Sequence, residues 1–138
     1  MQYGARIVAL VLAAVACGGG DAGNPLLEPS QRVGIYNLAT VDAKPLPYTF
    51  PNSPAYELIA ETITLNPDNT HIVRSDLRFT DGLGQPHLSV ETATGTYTIA
   101  NFTLTMTHSN GTVVVQTFTG ANELTAHCCG NTVWIYRR

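Results

Sequence analysis

No stretch of this sequence after Ser30 sustains a 3.6-residue apolar period, which argues against a helical fold. The apolar run Ile7 to Ala16 has ten residues, well short of the roughly 20 that a membrane-spanning helix needs. Basic residues form no stripe. Beyond residue 16, six Lys and Arg stand against ten Asp and Glu, a net charge of −4, which argues against a nucleic-acid partner. Metal-ligand spacing is missing as well: His71, His87, His108 and His127 are scattered, with neither H-x-H nor H-E-x-x-H. There is no G-x-S-x-G, no Walker loop and no dinucleotide fingerprint. With no constellation for a hydrolase or an isomerase, the chain is read as a non-enzyme that uses no cofactor and no metal.

What is present begins at the N-terminus. Arg6, the run Ile7–Ala16 and small residues before a break describe a secretory signal peptide over residues 1–16. "LAAVAC", ending at Cys17, resembles the lipobox of bacterial lipoproteins, with Ala14 where the motif usually carries leucine. The resemblance implies that Cys17 is acylated and becomes the mature N-terminus. Two or more acyl chains, at roughly 0.8 kcal/mol per buried methylene, hold a protein firmly on a bilayer. Ala14-Val15-Ala16 also satisfies the A-x-A cleavage rule, so a plain secreted protein is the alternative. Residues 17–31, rich in Gly and Pro, read as a flexible tether reaching roughly 20 Å.

Residues 32–138 read as one all-β domain. Strands are predicted over 33–41, 57–65, 70–80, 87–98, 102–108, 112–119, 123–128 and 132–137, separated by turns such as "NPDN", "DGLG" and "SNG". Alternation separates the faces in the clearest cases. Phe102, Leu104 and Met106 oppose Thr103, Thr105 and Thr107, and His71, Val73, Leu77 and Phe79 oppose Arg74, Asp76, Arg78 and Thr80. "TYTIAN" (96–101) and "TFTGAN" (117–122) echo each other, so Phe118 is expected to face inward as Tyr97 does. Short connections fit an eight-stranded antiparallel up-and-down barrel, whose closure removes exposed edges. A two-sheet sandwich, which usually needs longer crossovers, is the competing architecture.

"RVGIYNLATVDAKPLPY", "TITLNPDNTHIV", "GTYTIAN" and the terminal "VWIYRR" resemble the small lipocalin-like domains of bacterial secreted proteins, over residues 32–138. Gly34-Ile35-Tyr36 stands where lipocalins carry G-x-W, with tyrosine in place of tryptophan. The resemblance implies a barrel plugged at one end by Tyr36, with Arg137 or Arg138 packed over it, and open at the other. It also implies that the connection 42–56 hangs over the open mouth. "PLPYTFPNSP" (45–54) lies there, and its four prolines forbid a central strand. Leu46, Tyr48 and Phe50 are expected to pack into the mouth, as a fixed stopper or as a moving lid.

The barrel interior is assigned to Tyr36, Leu38, Val73, Phe79, Tyr97, Phe102, Leu104 and Met106, with Trp134 or Tyr136 closing one side. Glu61 shares parity with Ile59, Ile63 and Leu65. It either points inward, where it would orient a polar ligand head, or is turned out by a bulge near Ala60. Glu91 raises the same question, with Gly95 as a place where register shifts. In "AHCCGN" (126–131), His127 and Cys128 lie on opposite faces and do not form a joint site. Cys128 and Cys129 read as a structural or vicinal pair rather than a metal or catalytic site. "NFT" and "NGT" match glycosylation sequons, which a bacterial lipoprotein does not normally use.

Two functions follow from this reading. The first is a monomeric, lipid-anchored barrel of the bacterial envelope, facing the periplasm or exterior, that binds a small apolar ligand. The second is a structural or protein-interaction module of the envelope with a filled core. Eight short strands imply that the cavity is small.

Overall fold

Ten strands and one 3-10 turn, with no α-helix, make up the described part of the chain, residues 28–128 and 131–138 of a computed structural model. The turn spans Pro29–Arg32. The strands are β1 (Gly34–Val41), β2 (Lys44–Pro45), β3 (Tyr48–Phe50), β4 (Ser53–Leu65), β5 (Thr70–Thr80), β6 (Pro86–Ala100), β7 (Thr103–His108), β8 (Val113–Gly120), β9 (Glu123–Cys128) and β10 (Thr132–Arg137). The expected signal peptide (1–16), the acylation site Cys17 and most of the tether lie outside the described residues, as do Cys129 and any bond it makes to Cys128.

From β4 to β10 each strand pairs antiparallel with the next. The first strand closes the circle: Gly34–Asn37 pairs with Leu65–Thr62 of β4, and Asn37–Val41 pairs with Arg137–Trp134 of β10. The molecule is therefore a closed eight-stranded antiparallel barrel of up-and-down topology, and the sandwich is excluded. The predicted strands match the observed ones at β5, β9 and β10 and to within two residues at each end of β1, β6, β7 and β8, whereas β4 starts four residues early and takes in Pro54 and Tyr56. The proline-rich connection also carries β2 and β3. β3 pairs with β4 as an edge strand, where missing proline donors are tolerated.

Two bulges decide which residues fill the barrel. Ala39 is the extra residue between Leu38 and Thr40 of β1, and Ile59 is the extra residue between Leu58 and Ala60 of β4. Each bulge reverses parity part-way along its strand. Tyr36 and Leu38 are thus joined inside by Val41, and Ile63 and Leu65 by Leu58, all of them buried. The bulge at Ile59 leaves Glu61 facing inward and turns in Leu58 instead. Elsewhere the parity is plain. Tyr97 of β6, Gln116 and Phe118 of β8, and Tyr136 of β10 point inward. One end of the barrel lies against the Pro29–Arg32 turn.

That end is sealed. Tyr36, fully buried, donates from its hydroxyl to the Arg32 carbonyl at 2.8 Å and meets Phe118 edge-on at 6.1 Å. Of the two arginines that the resemblance implied, Arg138 is the one over Tyr36, its guanidinium carbon 5.8 Å from the ring centre. Arg138 donates to the carbonyls of Gln31 and Val33 and to Asn122. Arg137 instead pairs with Glu123 on the outer face. A second, unforeseen cation completes the seal: Arg32 is buried, stacks 4.5 Å over Phe118, and donates to the Asn101 carbonyl. Residues 29–32 therefore belong to the barrel's closed end, and the boundary drawn at residue 31 falls inside this turn.

Candidate functional site

The opposite, open half of the barrel is where polar groups gather. Glu61 is aimed inward from β4 by the regular alternation that follows the bulge. Its Oε1 accepts from the Tyr136 hydroxyl, and its Oε2 accepts from the Ser75 hydroxyl, each at 2.6 Å. Ser75 sits directly across the β4–β5 ladder, whereas Tyr136 reaches in from β10 with β1 between. Burial, followed by the Glu61 charge, pushes the Tyr136 phenol far above its ordinary value, so it stays a donor at every working pH.

A histidine pair stands on the other wall. His71 of β5, Gly95 of β6 and His108 of β7 occupy one row across three strands. A side chain on the middle strand would separate the two rings. Gly95 has none, so His71 Nε2 and His108 Nδ1 meet across it at 2.9 Å. A Cβ at residue 95 would stand 2.9 Å from the His71 ring and 2.8 Å from the His108 Cα. Gly95 thus marks a close approach, and the β5–β6 register runs unshifted past it, against the shift expected there.

Burial first, and the neighbouring His108 second, hold the His71 imidazole below its ordinary pKa of 6.5. The unfolded chain binds that proton more readily than the folded one, so this contribution to stability is complete above pH 6.5 and is lost as pH falls. Asp68, Asp81 and Glu123 are held below values of 3.8 to 4.5 and lose their contributions only in stronger acid. The thermal midpoint is therefore expected to fall between pH 7 and pH 5, and to fall less in His71→Gln. Melts followed by circular dichroism check this, and equal slopes in the two proteins would remove His71 as the cause.

Two cavities open from this half. One of about 440 Å³ is lined by Glu61, Ile63, Val73, Met106, His108, Gln116, Trp134 and Tyr136, among others. The second, of about 520 Å³, lies under the β3–β4 hairpin, lined by Asp42, Tyr48, Phe50, Tyr56, Leu77 and Glu91, and it shares Trp134 with the first. Among the described residues three buried atoms have no hydrogen-bond partner: His71 Nδ1, Gln116 Oε1 and Trp134 Nε1. Such groups cost roughly 1–3 kcal/mol each when left unpaired.

The residues assigned from sequence divide accordingly. Glu61, Val73, Met106 and Trp134 line the cavities, as Tyr48 and Phe50 of the proline-rich segment do. Leu46 packs partly buried against the core, and Tyr48 meets Phe50 edge-on at 5.6 Å. Tyr36, Leu38 and Leu104 are buried core residues that line neither cavity, and Tyr97, also buried, lines a further cavity of about 740 Å³ with Ser30, Val33, Asn69 and Ile99. Tyr97 is held by its hydroxyl bond to the Asn66 carbonyl. Phe79 sits between Tyr56 and His87, stacked on both rings. Phe102 is a correction: it lies in the β6–β7 turn, 48 % exposed, with Arg32 5.7 Å above its ring. A two-residue turn takes Phe102 out of the alternation that buries Leu104 and Met106. Cys128 is half-buried at the end of β9 and His127 is exposed, as opposite parities require. Gln116, Ser75, Arg32 and the histidine pair were not singled out from sequence. Gly95 within a strand was the one local signal for the pair.

Among the described residues no group of three or more His, Cys, Asp or Glu is placed to hold a metal ion. The fold and site together define a class, a small closed antiparallel barrel plugged at one end and hollow at the other. No protein-family model, curated protein or solved structure matches the chain.

Proposed function

We propose that this protein is a lipocalin-like binding module that takes one small ligand, largely apolar with a polar group, into its open half. The observation that carries the reading is the cavity beside Glu61, where the buried Gln116 presents an amide oxygen that no described residue satisfies. A core meant only to be solid would place an apolar side chain there. Cys17 acylation would hold the barrel at the bacterial envelope, and the mass of the N-terminal peptide from a membrane fraction tests that part.

The chain's one tryptophan, Trp134, borders both cavities and makes the test direct. The neutral dye N-phenyl-1-naphthylamine, titrated into the full chain, is expected to brighten saturably at one dye per chain while quenching Trp134 emission. No saturable uptake would remove the binding reading.

That outcome would favour the second reading, an interaction module, which one observation supports. β6 pairs with β7 only from Gly95 to Ala100, so residues 86–93 have a strand partner on the β5 side alone. The last bond on the other side runs from the Ser109 amide to the Thr94 carbonyl. Even-numbered residues face that side, so Leu88, Val90 and Thr92 present backbone groups along an open edge. The side chains of Leu88 and Val90 are exposed on the same stretch.

A further inference from the structure

We infer that the ligand of this barrel carries a positive charge, as a primary ammonium group on an apolar body. The inference rests on the binding reading above and narrows it. It begins with where the cations are. Six of the seven Lys and Arg side chains lie among the described residues, and none of them lines either cavity. Arg32 and Arg138 seal the closed end. Arg74, Arg78 and Arg137 pair with Asp76, Glu57 and Glu123. Lys44 is exposed on β2. Against these, one cavity holds Glu61, and the cavity under the hairpin holds Asp42 and Glu91.

The acceptors also have capacity left. Each Glu61 oxygen accepts one bond and keeps a second lone pair. The Gln116 oxygen, in a residue only 4 % exposed, accepts none from any described residue. An ammonium group brings three donors and the opposite charge, and meets both. A carboxylate head, as on a fatty acid, would bring acceptors to acceptors and a like charge to Glu61, with no lysine or arginine in the lining and only the imidazoles of His108 and His127 to offset it. The way in is aromatic: Tyr48, Phe50, Tyr56 and Trp134 line the outer cavity, and ring faces attract a cation while accommodating its hydrocarbon.

Three probes of one chain length decide the matter: dodecylammonium, dodecanol and dodecanoate, titrated below micelle formation into the full chain with Trp134 emission as readout. Dodecylammonium is expected to bind at one per chain and at least tenfold more tightly than dodecanoate. In Glu61→Gln this preference is expected to shrink to threefold or less while dodecanol binding is retained. If Glu61→Gln does not fold, Glu91→Gln and a titration in 0.5 M salt replace it, each expected to reduce the preference. Equal or tighter binding of dodecanoate overturns the inference and leaves the binding reading standing. Non-saturable uptake of dodecylammonium, or a preference unmoved by the variants and salt, overturns it too. Failure of all three probes removes the binding reading and this inference with it.

Discussion

Alanine at Gly95 is expected to cost the barrel about 2–3 kcal/mol of unfolding free energy, the upper part of what overpacking a rigid core costs. The new methyl has nowhere to go. It would stand 2.8 Å from the His108 Cα and closer still to the Thr107 carbonyl oxygen, both parts of a paired neighbouring strand. It would also press on the His71 ring at 2.9 Å and part the imidazoles that meet across the glycine. Relief requires β6 and β7 to move apart, and their ladder from Gly95 to Ala100 opposes that. Gly82 supplies the control, because a Cβ there meets nothing within 4 Å. Urea unfolding of the two variants beside the parent measures the contrast. A Gly95→Ala midpoint matching that of Gly82→Ala would show that the three-strand row is looser than described.

The second large effect is expected at the plug. Tyr36→Ala should cost about 3–5 kcal/mol, as truncation of a buried aromatic ring does. The ring is fully buried, braces Phe118 and lies under Arg138, so its loss opens a hole between two guanidinium groups. Tyr36→Phe keeps the ring and removes only the hydroxyl bond to the Arg32 carbonyl, for an expected cost of about 1 kcal/mol. The ratio of the two losses, read from urea midpoints, separates packing from hydrogen bonding. Equal losses would mean that the hydroxyl, and not the ring, holds this end together.

Both variants lie where sequence reasoning reached unevenly. The strands of β5, β9 and β10 are legible to the residue, because alternating apolar side chains end at turn residues with little overlap of signals. Tyr36 was legible as a plug through its motif. Arg32 was not: an isolated arginine before a strand reads as solvated, and only closure of the barrel brings Phe118 and Phe102 around it. The bulge at Ala39 was not legible, and that at Ile59 was only partly so. The pattern around Ala60 allowed one, yet which residue it turned inward depended on the partner strand's register. Phe102 failed for the opposite reason, since alternation was extended one residue beyond the strand that carries it.

Of the candidate site, Val73, Met106 and Trp134 were legible as lining residues, and Glu61 as a carboxylate either buried in want of a partner or turned out by a bulge. Its partners were not, because Ser75 lies fourteen residues away and Tyr136 seventy-five. The histidine pair is separated by thirty-seven residues and shows no spacing rule.

Local chemistry along the chain determined the strand content, the turns and the inward face of most strands, since backbone alternation acts over two residues and needs no distant partner. Only the tertiary structure decided that the barrel closes through β1, that two bulges exchange which side chains fill it, and that the two cavities of its open half gather carboxylates with no described lysine or arginine in their lining. Those outcomes depend on register between strands far apart in sequence, and register is an energy of the assembled sheet rather than of any one segment.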